Sequence, residues 1–278
     1  MLEILKKISQ ELALSYQQVV ATVKLLDEEN TVPFIARYRK EWTGSLDEVQ
    51  IREIERKIKY YRLLEERKST ILESIEKQEK LTPDLKEKII ACQTLQELED
   101  LYLPYKPKKR TRATMAKEKG LEPLAQKIMD EAHPETYAPQ FVSEEKKVKN
   151  VEEALKGAMD IVAEIVSEEA EIRSFIRESV LKEGIVEAKA KDLKPNSEFD
   201  MYKEYQEPVA EIKPHRILAM NRGENLGELS VNILFPDEHI LTNMNHYFVI
   251  EENPYLLMAI EDGYKRLLKP SIEREIRN

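Results

Sequence analysis

The chain has 278 residues, 41% apolar and 35% charged, with a formal net charge of −9. This composition excludes a disordered tail and places the chain among folded, highly charged helical proteins of one large or two smaller units; its seven glycines disfavour a loop-rich or all-β fold. No apolar run approaches the roughly 20 residues that cross a bilayer, and the negative balance confines any contact with a polyanion to local basic patches.

The N-terminus, MLEILKKISQEL, is amphipathic and lacks a signal-peptide core, so the expected location is cytoplasmic. Leu5, Ile8 and Leu12 share one face of a first helix. Ser15 with Gln18 forms a capping box that opens a second, which Pro33 is expected to end. Over about 46–79, Ile54, Ile58, Tyr61, Leu64, Ile71 and Ile75 recur at three- and four-residue steps and predict one long helix. At 1.5 Å per residue that helix spans roughly 50 Å, which implies an elongated molecule.

Thr82 before Pro83, and Thr94 with Glu97, open two more helices. The second carries Leu95, Leu98 and Leu101 to Pro104, where PYKPKKR breaks it. Two short helices follow, about 113–119 and 123–132, with Gly120 between them; together they form a helix-turn-helix-like pair within 111–133. Residues 133–148 read as a connection containing Pro134 and Pro139. A second long helix is expected over 151–182, buried through Leu155, Ala158, Val162, Ile165, Ile172, Ile176 and Val180 and ended by Gly184.

Strand-like runs occur only in 185–250, as IVEAKA, ELSVNILF and HYFVI, with a turn at NRGENLG. Helical periodicity returns at PYLLMAIEDGYKRLL; Pro270 opens a last segment that stops without C-terminal punctuation and reads as a fragment boundary. The expected fold is mainly α, an elongated multi-helix scaffold with the helix-turn-helix-like element and a small β-containing segment. Its expected division is a helical domain over 1–182, a small α/β segment over 183–250 and the start of a helical connector over 251–278.

The strings TVPFIARYRKEWTGSLDEVQIREIE (Thr31 to Glu55), LEDLYLPYKPKKRTRATMAKEKGLEPLA (Leu98 to Ala125) and HRILAMNRGEN (His215 to Asn225) resemble the Tex family of bacterial transcription accessory proteins. The closing YKRLLKPSIEREIR is similar to it too, so the resemblance runs over essentially the whole chain. It implies an elongated helical scaffold with a helix-turn-helix-like element near its start. In that family an RNase-H-like YqgF domain, helix-hairpin-helix motifs and a C-terminal OB-type RNA-binding domain follow, and the family is related to a eukaryotic transcription elongation factor. On this reading the chain stops before all three modules, and its own affinity for nucleic acid is weak.

Three basic groups are candidates for that contact. Lys106, Lys108, Lys109, Arg110 and Arg112 lie in a proline-stiffened loop ahead of a short helix, with Tyr102 and Tyr105 on its N-terminal side. The cations would neutralise phosphates, the helix-start amides hold one and the tyrosines stack on unpaired bases; otherwise the lysines are solvated and the tyrosines belong to the core. Arg37, Arg39 and Lys40 are interleaved with Phe34, Ile35 and Tyr38. These either face nucleic acid or, as the commoner outcome, pair with Glu41 and nearby acids while the aromatics are buried. Arg222, beside Gly223, either meets phosphate or helps hold a helix-to-strand junction with His215, Arg216, Glu224 and Asn225.

Chemistry is not written in the remaining residues. His133, His215, His239 and His246 fit no zinc spacing, and Cys92 has neither a second cysteine nor a histidine partner in sequence. No GxSxG, HExxH or Walker-type string occurs, so no catalytic residue, metal or cofactor is expected. Two functions remain: a non-catalytic, monomeric nucleic-acid-associated module touching single-stranded RNA or DNA, or a scaffold that docks later domains, RNA polymerase or other transcription machinery without touching nucleic acid.

Overall fold

In the computed structural model, which describes residues 1–249 and 253–277, helices joined by short turns dominate and three short strands form one antiparallel sheet. Two compact units result, Met1–Glu99 and Asp100–Asn278.

The first unit contains α1 (Leu2–Glu11), α2 (Tyr16–Asp27), α3 (Val32–Tyr38), α4 (Lys40–Thr43), α5 (Glu48–Glu76), α6 (Pro83–Ala91) and the start of α7 (Leu95–Tyr102). The predicted capping box opens α2, with the Ser15 side chain accepting from the Gln18 amide and Gln18 answering to the Ser15 amide. Pro33 does not end that helix. The chain leaves it at Asp27, and Pro33 sits in the first turn of α3, where its missing N–H is not needed. Along α5, Ile54, Ile58, Tyr61, Leu64, Ile71 and Ile75 are buried, as the spacing predicts, and Ile51 joins them. Lys68 occupies the same stripe: its stem is buried and its ammonium donates to the Ile90 carbonyl at 2.8 Å and to Glu65 at 2.9 Å.

In the second unit, α8 (Arg112–Glu118) and α9 (Glu122–Asp130) lay Ala113, Ala116, Leu124, Ala125 and Ile128 against α10 (Val151–Ser167). Gly120, at φ +76°, makes the turn between them. The predicted long helix over 151–182 is broken into α10 and α11 (Ala170–Glu183), with Glu169 extended at the junction. The break is held by polar side chains: Ser167 donates back to the Glu164 carbonyl at 2.8 Å, and Arg173 donates to the Ser167 carbonyl at 3.3 Å.

The sheet comprises β1 (Ile185–Ala190), β2 (Glu204–Pro208) and, after α12 (Pro214–Asn225), β3 (Leu229–Leu234), in the order β2-β1-β3. Ala188 pairs with Tyr205 on one side and Val231 on the other. One face buries Val186, Ala188 and Val231 with Phe199, Tyr202 and Met220 of α12. The expected turn at NRGENLG is helix through Asn225, and only Gly227 takes a positive φ. HYFVI is not a strand: α13 (Asp237–Phe248) runs through it with Ile240 and Met244 buried at helical spacing, and Ile250 lies outside the described residues.

The unit closes with α14 (Pro254–Asp262), a π-turn at Gly263–Leu268, and α15 (Lys269–Arg277) in one continuous rod. The π-turn lies just ahead of Pro270, where an ordinary helix would set the proline ring against the carbonyl four residues back. A Cβ on Gly263 would stand 2.8 Å from the Ala163 carbonyl, so the rod approaches α10 more closely than other side chains allow. No helix among the described residues is long and apolar enough to cross a membrane.

Candidate nucleic-acid interface

The basic loop between α7 and α8 is less free than its composition implies. Lys108 reaches back to the C-terminal end of α10, where its ammonium sits 2.5 Å from the capping residue Glu168 and 3.1 Å from Glu164. Burial alone would lower its pKa; the two carboxylates, Glu168 foremost, outweigh that and hold it above the usual lysine range. Arg110 pairs across α8 with Glu118 at 3.1 Å, both side chains well exposed. Lys106, Lys109 and Arg112 are exposed and form no ion pair among the described residues.

Two of the amides at the start of α8, those of Thr111 and Thr114, are already taken. Thr111 and Thr114 close a capping box at the start of α8, and the Thr111 hydroxyl donates to Glu164 at 3.0 Å, placing a carboxylate where an anion would have to sit. Tyr102 is buried and Tyr105 half-buried, so Tyr102 belongs to the core and offers no face to a base. What the loop presents is therefore Lys106, Lys109 and Arg112 around a spine pinned by Lys108.

The first unit reverses the sequence expectation. Arg37, Arg39 and Lys40 make no salt bridge among the described residues, with Glu41 or any other acid. Arg39 instead lies over the Phe34 ring, 5.1 Å from its centroid, and Phe34 meets Tyr38 at 5.3 Å. Ile35 and Ala36 are buried, but Tyr38 and Trp42 are each 66% exposed. The alternating spacing of FIARYRKEW hides this, because α3 is only seven residues long and turns Tyr38 out at its end.

Arg222 stands on α12, exposed, 3.6 Å from Glu198. Its neighbours form the junction: Arg216 pairs with Glu207 of β2, and Glu224 binds the Val231 amide of β3 at 3.3 Å. His133 pairs with Glu135 and His239 with Glu183, both partners exposed.

Comparison with known proteins connects these elements. The Tex-like protein N-terminal domain model matches residues 2–76 and the Tex central region-like model matches residues 129–266. The chain belongs to the Tex family. It is 45% identical to YdcI of Bacillus subtilis (strain 168) over 98% of its own length and 39% of that protein's. It is 38% identical to the transcriptional accessory protein Tex of Neisseria gonorrhoeae, over 96% of this chain and 35% of that one. A more distant relative, the human S1 RNA-binding domain-containing protein 1, is 27% identical over 92% of this chain and 28% of its own. The Tex chain thus spans about two-fifths or less of the length of these relatives. The first model covers α1 to α5 and with them the FIARYRKEW patch; the loop from Lys106 to Arg112 lies between the two matched segments.

Proposed function

We propose that this chain is a non-catalytic, cytoplasmic, nucleic-acid-associated scaffold of a Tex-type transcription accessory protein, in which the loop before α8 makes weak, salt-sensitive contact with phosphates. The observation that carries the reading is the state of the predicted cations. Lys106, Lys109, Arg112, Arg37, Arg39 and Lys40 have no ion-pair partner among the described residues of a chain with net charge −9, whereas Lys108, Arg110 and Arg222 do. Unpaired lysine and arginine held on a rigid frame can release condensed counterions from a nucleic-acid strand without first breaking internal pairs. The relatives named for transcription accessory function and for an S1 RNA-binding domain support the same direction.

Fluorescence anisotropy of labelled single-stranded RNA and duplex DNA, at low and moderate salt, tests it. Replacing Lys106, Lys109 and Arg112 with glutamine should weaken binding and flatten its salt dependence; unchanged affinity and slope would remove the loop from the function. The competing reading, a docking frame for later domains or RNA polymerase with no nucleic-acid contact, predicts no binding in either arm and retention of those partners in a pull-down.

A further inference from the structure

The region around α3 and α4 combines features that internal packing does not explain. Tyr38 and Trp42 stand four residues apart on consecutive short helices, each two-thirds exposed. An exposed aromatic is unremarkable singly, but these two are set among Arg37, Arg39 and Lys40, none of which has a carboxylate partner among the described residues. Arg39 is parked on the Phe34 ring, and Phe34 in turn meets Tyr38 at a tilt of 45°, so two rings and the cation already form one contacting group. Arg39 and Trp42 also wall a groove of about 640 Å³ against α2, shared with Tyr16, Val20 and Lys24. That is the size of a small-ligand site. Glu28 is the one carboxylate lining it.

We propose that Tyr38 and Trp42 form a base-stacking platform for single-stranded nucleic acid, with Arg37, Lys40 and Lys24 meeting the phosphates on either side. This rests on the nucleic-acid reading above but assigns it a second, chemically different site. Charge complementarity favours a polyanion: the cations are unneutralised while the chain as a whole is acidic. The aromatics favour unpaired bases over a duplex, because a base inside a duplex offers no free face. RNA and DNA strands share this chemistry.

Trp42 is the single tryptophan of the chain, so its emission reports on this patch alone. The full chain is titrated with oligouridylate, oligothymidylate and, separately, polyglutamate, following Trp42 emission alongside anisotropy of labelled strands. The expected result is saturable quenching by one or both oligonucleotides, relieved by salt. Tyr38→Ala weakens it about tenfold, the loss expected when one stacked base is released. Arg37→Gln and Lys40→Gln each lower the slope of log affinity against log salt by about 0.7, the signature of one phosphate contact on a single strand. Both ring positions are exposed, and an unchanged far-UV circular dichroism spectrum establishes that each variant is folded. Anisotropy showing a bound strand with Trp42 emission unmoved overturns the platform and leaves the loop before α8 as the binding site. Absence of binding by both readouts overturns both. Quenching by polyglutamate without quenching by either oligonucleotide makes the groove a site for an acidic peptide and overturns the proposal.

Discussion

Glu224 and Arg277 close on the same residue of β3: Glu224 accepts from the Val231 amide at 3.3 Å, while Arg277, itself paired with Glu224, donates to the Val231 carbonyl at 3.0 Å. Two residues along, the Ile233 amide is taken by Glu273 at 2.9 Å. β3 is an edge strand, and an edge with free amides and carbonyls invites a second strand. The side chains of α12 and α15 occupy those positions instead. Replacing Glu224 and Glu273 together with alanine should cost about 1 kcal/mol for each hydrogen bond lost and create a concentration-dependent dimer. Size-exclusion chromatography with light scattering checks this; a variant that self-associates no more than the parent across a wide concentration range means the edge is shielded by something else.

Arg173 is the hinge of the second unit's polar interior. It is 4% exposed and binds Asp100 at 2.8 Å, Ser271 at 3.2 Å, the Ser167 carbonyl at 3.3 Å, and Glu275. Arg177 bridges the same two carboxylates. Truncating Arg173 to alanine leaves Asp100, 3% exposed, short of one of its cations, which should cost about 3–5 kcal/mol. Lysine should restore little, since a point charge cannot serve acceptors in four directions. Urea unfolding followed by far-UV circular dichroism measures it, and a loss below about 1 kcal/mol would show the network to be dispensable.

That network also marks the limit of what the sequence discloses. The stripe of α5 was legible because Ile54, Ile58, Tyr61, Leu64, Ile71 and Ile75 sit on one helix and need no distant partner. The caps at Ser15, Thr82 and Thr94 were legible for the same reason, their bonds reaching only three residues. The break between α10 and α11 was not, because Val162 to Ile172 keep helical spacing through it and the side chain that holds it, Arg173, looks like any surface arginine. HYFVI misled through β-favouring residue types that tertiary burial of Ile240 and Met244 overrides. In the basic loop, five cations were visible; that Lys108 is committed to carboxylates 56 and 60 residues away was not.

Asp27 links α2 to α5 through a two-pronged contact with Arg62, at 2.7 and 2.8 Å. The Arg62 hydrogen bonds, against a smaller opposing effect of burial, hold its carboxyl below the usual aspartate range. The stabilisation is therefore present above the unfolded value, about 3.9, and is lost as pH falls through the lower folded one. Both side chains are more than a third exposed, so solvent screening limits the effect to below about 1 kcal/mol. Asp27→Asn should lower the urea midpoint of the first unit at about pH 7, read by Trp42 emission, and converge on the parent as pH falls below the usual aspartate range. A gap that persists in acid would assign the loss to packing.

Lys108 separates a structural cation from the ones offered to solvent. Its ammonium stands between Glu164 near the end of α10 and Glu168 just past it, whose side chains are 11% and 14% exposed. Lys108→Gln leaves two nearly buried like charges facing each other and should cost about 2–3 kcal/mol at neutral pH, less than for a fully buried pair because the lysine itself is partly wet. The sign with pH follows. Burial already raises the Glu168 carboxyl, and Lys108 opposes that rise; without the lysine it goes higher still, so the folded variant takes up protons that the unfolded chain does not. Its deficit relative to the parent should then shrink as pH falls from neutral toward the usual glutamate range, as protonation of one carboxyl relieves the repulsion. Lys109→Gln, by contrast, should leave the unfolding midpoint unchanged while reducing the salt slope of oligonucleotide binding by about 0.7. If Lys108→Gln instead matches Lys109→Gln in both measurements, Glu164 and Glu168 do not hold the lysine in solution, and the loop presents four cations to a strand where the structure shows three.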